Sequence, residues 1–232
     1  MNVEKIYLLQ DEILQTLGKL NIPFVFSGST PLTRAYYNHR YSFDLQFFSE
    51  DGDLKEEILK EIVNELKNNF FILEEKEAKK FKFPQPVQSL QIKVAYKEDE
   101  KGENSVIVEF LQDLFNGIFG TIKLELGIKL EELDGIYFRK LIDFFNNPED
   151  TGTIVDIVVM DEEYSLEDFY PEFKEILNKK GFKIEQDDLY KNLKIFQQKL
   201  EKDIIEIDKE LKFIGSVIDV HHLKKWLNDK IK

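Results

Sequence analysis

The sequence contains no cysteine, and this absence excludes three kinds of chemistry. With 0 Cys among 232 residues, disulfide bonds, thiolate zinc sites and cysteine nucleophiles are all ruled out. Histidine (3) and methionine (2) are also scarce. Long apolar runs are missing too, since no segment approaches the roughly 18 consecutive apolar residues of a membrane-spanning helix. We therefore expect no membrane partner.

Positive charge is in deficit as well. Lys and Arg total 32 against 45 Asp and Glu, which gives a formal net charge of -13. Such a chain repels polyanions, so any contact with nucleic acid would need a local basic surface. Short basic runs at Lys79–Lys82 and Lys224–Lys225 are candidates, although runs of this length are usually solvated faces. The first 14 residues are charged and helical in period, unlike a signal peptide, so we expect a cytoplasmic location.

Apolar residues are abundant and rich in rings. They make up 42% of the chain, with 20 Phe, which indicates a folded core built from aromatic side chains. Strand and helix patterns alternate up to about residue 160, after which Lys, Glu and Leu dominate at helical spacing. The patterns predict an α/β (α+β) domain over residues 1–160 and a helical bundle region over residues 161–232.

The C-terminal region carries one long apolar stripe. From Leu189 to Ile214 the apolar residues recur in steps of mostly four and three, which predicts a single helix. The stripe could pack within the bundle, or two chains could pair along it, so a monomer and a homodimer both stay open. In the last helix His221 and His222 are adjacent and point apart, which favours surface residues over a metal site.

The segment richest in chemical signals spans residues 24–48. A buried strand, Phe24–Ser27, runs into a Gly28-Ser29 turn, and a helix is predicted to follow with Thr30 as its N-cap and Pro31 in its first turn. The backbone N–H groups of such a turn can cradle a phosphate. An ordinary turn would carry the same pattern, so both interpretations stay open.

Two further strands carry polar side chains that could meet at this turn. Asp44 and Gln46 are two residues apart in a predicted strand and therefore share a face. Glu109 lies in a strand over residues 106–110, and it would join Asp44 if the two strands were neighbours. Clustered carboxylates hold Mg²⁺, which binds triphosphates through oxygen atoms. A solvated aspartate at a sheet edge is the alternative.

The same segment resembles a known family. It reads GSTPL, TRAYYNHRYS and FDLQFF, and is similar to the GGTAL, RFYLNHRYS and DLDFF signature of the AbiEii/AbiGii abortive-infection toxins, a branch of the nucleotidyltransferase superfamily. Three later pieces follow in the family's order: VIVEF, LEELDGIYFRKL and GTIVDIV. The resemblance covers roughly residues 20 to 195.

The resemblance implies a nucleotidyltransferase-like mixed sheet with flanking helices, Mg²⁺, a nucleoside triphosphate substrate and transfer of a nucleotide to an acceptor. The acceptor could be an RNA such as tRNA, or a protein, and a cognate antitoxin is an implied partner. Carried over residue by residue, the family's roles fall on the following positions: catalytic Asp44, Glu109 and Lys140; metal-binding Asp44, Gln46 and Glu109; nucleotide-binding Gly28, Ser29, Thr30, Arg40 and Ser42.

Three departures from the family pattern bear on activity. Ser29 stands for the family's second glycine, Gln46 for its second metal aspartate, and Gly152-Thr153 for a Lys-Asp pair. An amide brings no charge to a metal, so the substitution at Gln46 predicts weak or lost transfer. A catalytically silent member that binds nucleotide or a protein is the alternative. Arg34 and His39 also match the R-x4-H of HEPN ribonucleases, but that fold is all-helical and the flanking strands argue against it.

Overall fold

The computed structural model describes residues 2–99 and 101–231, which form two compact units. The first unit comprises residues up to 32, 42–80 and 86–136, and the second comprises 33–41, 81–85 and 137 onward. The first holds a mixed sheet and the second is helical, so the predicted α/β class is confirmed. The division into domains at residue 160 stays a prediction.

The first unit is built on a seven-stranded mixed sheet. Its strands are β1 (Phe24–Ser27), β2 (Asp44–Ser49), β3 (Phe71–Lys80), β4 (Val87–Ala95), β5 (Val106–Leu111), β6 (Thr121–Lys123) and β7 (Lys129–Glu131). Their order across the sheet is β3-β4-β5-β2-β1-β7-β6. The β2–β5 and β1–β7 pairs are parallel, and the other pairs are antiparallel. β4 and β5 are consecutive antiparallel strands and form a hairpin.

One face of this sheet forms the core of the first unit. Its helices are α1 (Val3–Lys19), the single turn α2 (Ser29–Pro31) and α3 (Glu56–Asn69). The side chains of Phe26, Phe47 and Phe110 stack in a row across β1, β2 and β5, with ring centroids 5.2 and 5.3 Å apart. Ring stacking of this kind adds to the free energy that burial of apolar area supplies. The aromatic core expected from composition is therefore present.

Two parts of the sheet differ from the sequence prediction. β3 extends from Phe71 to Lys80, whereas its apolar pattern predicts a strand only as far as Leu73. β7 occupies the beginning of a segment predicted to be helical from Leu130. An edge strand is solvated on much of its surface and needs no apolar alternation, so β3 is hidden from a pattern search. β7 is fixed by its pairing with β1.

The second unit is a set of helices around aromatic side chains. The helices are α4 (Leu133–Asn146), whose first turn belongs to the first unit, α5 (Thr151–Asp161), α6 (Leu166–Lys179), α7 (Gln186–Lys202), α8 (Ile204–Phe213) and α9 (Val220–Lys230). A π-helical segment, Leu32–Tyr37, leads into this unit. Tyr137 stacks on Phe169 at 4.6 Å, and Phe138 contacts Phe173 at 5.0 Å between ring centroids.

The C-terminal stripe is interrupted. The predicted single helix is wrong, because α7 ends at Lys202 and α8 begins at Ile204, with Asp203 between them. The stripe is nevertheless buried inside the second unit at Leu189, Leu193, Phe196, Leu200, Ile207 and Leu211. Among the described residues, no helix combines the length and apolar character needed to cross a membrane.

Candidate functional site

A row of polar residues crosses five strands on the sheet face opposite the aromatic core. Strand pairing places its members directly opposite one another, in the order Lys76, Gln91, Glu109, Gln46 and Ser27. We call this set the polar row. The sheet register brings Gln46 and Glu109 together, as their positions in adjacent parallel strands require.

The polar row marks a boundary between buried and open surface. On one side, the next set of paired residues includes Val25, Phe48 and Leu111, which are all buried. On the other side lie Asp44, which is half-buried, and Ile107, which is 44% exposed. The polar row is therefore where a ligand from solvent can contact side chains at the edge of the buried region.

Glu109 is the buried charge of this row. Its side chain is 3% exposed, and it accepts hydrogen bonds from Gln46 Nε2 at 3.2 Å and from Gln91 Nε2 at 2.8 Å. Lys80 Nζ also forms an ion pair with Glu109 Oε2. A buried carboxylate is tolerated only when it is paired and hydrogen-bonded, and these three donors meet that requirement.

Asp44 is positioned by two buried hydroxyl groups. Ser42 Oγ donates to Asp44 Oδ1 at 3.2 Å, and the Thr30 hydroxyl donates to the backbone carbonyl of Asp44. The two hydroxyl oxygens are themselves 2.8 Å apart. Asp44 lies one strand across and two residues along from Glu109, which corresponds to about 8 Å between their α-carbons. Thr30 and Ser42 thus hold Asp44 in place.

The turn after β1 requires glycine. Gly28 has φ 87° and ψ -154°, a conformation that is essentially restricted to glycine. A β-carbon at this position would also collide with Gln46 Oε1, so the bare backbone of the turn lies against the polar row. Gly28 is itself the N-cap of α2, and the predicted N-cap role of Thr30 is wrong. Since α2 is a single turn that includes Ser29, its dipole adds little to the predicted phosphate cradle.

Arg40 and Lys140 belong to the second unit, where both contact one carboxylate. Asp156 in α5 is 0% exposed and accepts from Arg40 Nε at 2.6 Å and Arg40 Nη2 at 2.7 Å, with Lys140 Nζ at 3.3 Å. His39 Nε2 lies 2.8 Å from the same carboxylate. Burial alone would raise the pKa of Asp156, but Arg40, Lys140 and His39 together hold that pKa well below its ordinary range.

This second cluster is a set of buried ionic and hydrogen-bonding contacts. The Arg40 and Lys140 side chains are only 8% and 2% exposed. Because an ionised carboxylate accepts only, the proton of the His39 ring that faces Asp156 lies on Nε2. His39 Nδ1 is buried and has no hydrogen-bond partner among the described atoms.

The polar row does not have the composition of a two-metal site. Within the described residues, no group of three or more His, Cys, Asp or Glu is arranged to hold a metal ion. The Gln46 amide turns its NH2 group toward Glu109, and the Glu109 carboxylate is already paired with Lys80. Mg²⁺ favours carboxylate ligands in near-ideal octahedral geometry, so these residues as arranged do not fit it.

Sequence reasoning missed Gln91 and the pairing of Lys80 with Glu109. Gln91 follows the alternation Leu90-Gln91-Ile92, which assigns it to the polar face of β4, and that signal was available once β4 and β5 were paired. Lys80 belongs to the basic run Lys79–Lys82, but its place beside Glu109 had no such signal, because the apolar pattern predicts a strand only as far as Leu73. Its role depends on a pairing between distant segments.

Comparison with solved structures identifies the fold. JHP933 from Helicobacter pylori aligns with a TM-score of 0.56 and 17% identity, covering 99% of this chain and 93% of that one. A second H. pylori protein, provisionally assigned as a nucleotidyltransferase, aligns with a TM-score of 0.56 and 18% identity, covering 99% and 95%. This chain has a nucleotidyltransferase-like fold. No protein-family model matches the sequence, and no curated protein matches it significantly.

Proposed function

We propose that this chain is a nucleotidyltransferase of the AbiEii-like toxin family that binds a nucleoside triphosphate at the polar row. The observation that carries the proposal is the grouping of Asp44, Gln46 and Glu109 on one face of two adjacent parallel strands, beside the glycine turn at Gly28. The family motif falls on these positions, and the fold of the chain agrees with it. The toxin assignment, a tRNA or protein acceptor and an antitoxin partner rest on the motif resemblance.

The proposed reaction is transfer of a nucleotide to an acceptor hydroxyl. The acceptor oxygen attacks the α-phosphorus, the bond to the β-phosphate oxygen breaks, and pyrophosphate leaves with the electron pair. Asp44 is the carboxylate in position to take the proton of the acceptor, because Ser42 fixes one of its oxygens and the residue is half-buried. Lys140 and Arg40, whose contacts with Asp156 are described above, would act by supporting the fold.

Transfer should be slow in the natural sequence. Gln46 brings an amide where a second carboxylate would bridge a metal, and loss of one electrostatic group at a transition state slows a reaction by about 10²–10³-fold. The Lys80–Glu109 ion pair favours a second candidate function, a silent member that binds nucleotide or a protein partner without transfer. The enzyme and a silent nucleotide-binding member both require nucleotide to bind at the polar row or beside it, whereas a silent protein-binding member does not.

The first experiment measures binding and transfer separately. Each of the four labelled nucleoside triphosphates is incubated with the protein, Mg²⁺ and total tRNA, and label is read on RNA and on protein. In parallel, the melting temperature is measured with each nucleotide, because a ligand that binds only the native state raises stability. We expect a rise for the natural protein. Asp44→Ala should keep the rise but lose transfer, whereas the exposed control Asp208→Ala should keep both. Absence of a shift with all four nucleotides would contradict the proposal.

A further inference from the structure

We propose that the Lys80 ammonium, rather than a divalent cation, supplies the positive charge that holds the triphosphate chain over Glu109, so that nucleotide binds without Mg²⁺. This inference rests on the proposed nucleotide-binding function. It assigns a ligand-binding role to a lysine that the family motif does not include.

The position of Lys80 is the first observation. Its side chain is 28% exposed, whereas the Glu109 side chain that it pairs with is 3% exposed. The ammonium group is therefore the solvent-accessible member of this ion pair. An ammonium has three N–H donors and can bridge a carboxylate and a phosphate oxygen. Lysine is a common phosphate-binding residue for this reason.

The second observation is the distribution of charge on this face. Lys76 and Lys93 lie on the same face as Lys80, because Lys76 is paired with Gln91, and Lys93 is two residues along β4. The β3–β4 side of this face thus carries three lysines, one of which, Lys76, belongs to the polar row. Glu74 lies on the same face opposite Lys93 and offsets its charge, so the positive charge on offer to an anionic ligand is that of Lys76 and Lys80.

The third observation is that a divalent cation would have to displace existing contacts. The Gln46 amide directs Nε2 to Glu109 at 3.2 Å, while its Oε1 lies against the backbone at Gly28. A cation bound to Glu109 would have to expel Lys80 and turn this amide. Mg²⁺ loses its bound water reluctantly. One amide oxygen and one available carboxylate, Asp44, compensate poorly for that loss. Lys80 already supplies a cation at that point.

The test measures nucleotide affinity with and without divalent cations. ATP, GTP, CTP and UTP are titrated calorimetrically into the full chain in EDTA and again in Mg²⁺. We expect comparable affinity under the two conditions. Lys80→Met should weaken binding in EDTA by about tenfold or more, the loss expected for one charge-assisted hydrogen bond, while Lys80→Arg should retain most of it. Lys79→Met is the matched control, since Lys79 is exposed and lies on the opposite face of β3.

Folding is controlled with a second variant. Lys80→Met leaves the buried Glu109 carboxylate without its cation, so the double variant Lys80→Met/Glu109→Gln removes both charges together. If the inference is right, the double variant melts near the natural protein and still binds nucleotide in EDTA about tenfold or more weakly than the natural protein does.

Each other outcome has a distinct meaning. Binding that occurs only with Mg²⁺, or binding in EDTA that survives Lys80→Met, would overturn this inference and leave the proposed function standing. Absence of binding to all four nucleotides under both conditions would overturn the proposed function itself.

Discussion

Replacement of Gln46 by aspartate separates a weakened enzyme from a binding protein. The Gln46 amide now donates to Glu109 Oε2 at 3.2 Å, and aspartate would replace that donor with a second carboxylate. Two unit charges about 4 Å apart at an effective dielectric constant of about 20 repel by about 4 kcal/mol. Lys80 offsets part of this repulsion, so we expect the free energy of unfolding to fall by about 1–3 kcal/mol in the absence of divalent cations.

Mg²⁺ should reverse that loss in the variant. A ligand at a hundredfold excess over its dissociation constant stabilises the native state by about 2.7 kcal/mol, which matches the expected deficit. Urea denaturation in EDTA and in Mg²⁺ measures both effects. Gln88→Asp is the matched control, because it makes the same change at an exposed position on the opposite face of β4. Nucleotide transfer should rise in Gln46→Asp by about tenfold or more, equivalent to about 1.4 kcal/mol at the transition state.

Two results would refute this reasoning about Gln46. The first is strong transfer by the natural protein that is unchanged or lowered by Gln46→Asp, which would show that Asp44 and Glu109 suffice. The second is a Gln46→Asp variant that responds to EDTA and Mg²⁺ no differently from Gln88→Asp. In that case the new carboxylate would not reach Glu109, and the geometry assigned to the polar row would be wrong.

Three further predictions concern stability. Asp156→Asn should lower the free energy of unfolding by about 3–5 kcal/mol in urea titrations, because Arg40 keeps its buried charge. The exposed control Asp208→Asn should change it by less than about 0.5 kcal/mol, and equal effects would contradict a structural role. The folded state lowers the pKa of Asp156, so the stabilisation that this carboxylate supplies is complete above its unfolded pKa of about 3.9 and is lost as the pH falls below that value. Between neutral pH and pH about 3, Asp156→Asn should therefore lose less stability than the natural protein does. Gly28→Ala should destabilise by about 1–3 kcal/mol from backbone strain, and adding Gln46→Ala should recover only the part of the loss that the side-chain collision causes.

The central part of the polar row could be inferred from the sequence because it lies in buried strands. β2 begins with polar and apolar residues in alternation, which assigns Gln46 to the face of Asp44. In β5 Glu109 is the one polar residue, and Val106, Val108 and Phe110 lie on the opposite face of the strand. Contact between Gln46 and Glu109 also needed the two strands to be neighbours, which the spacing alone does not dictate. The family motif supplied that adjacency as an expectation.

The contributions of Lys80 and Asp156 could not be inferred in the same way. Lys80 lies at the end of an edge strand whose charged composition masks its pairing with β4. Asp156 lies in an apolar stretch that is a fully buried helix, α5, and a short apolar run of this kind does not distinguish a buried helix from a strand. Its contact with Arg40 spans 116 residues and is a product of tertiary packing.

Asp156 and Glu109 are both buried carboxylates that need a neighbouring cation, but their cations differ in exposure to solvent. Asp156 is paired with cations that are themselves 8% and 2% exposed, so replacing any of them with a ligand would leave a charge stranded in the interior. Glu109 is paired with a cation that is 28% exposed and lies at the end of its strand. An anionic ligand can therefore approach Lys80 without breaking the pair that neutralises Glu109. This difference in the exposure of the cation, rather than in the carboxylate, is why we assign ligand binding to the polar row and structural support to Asp156.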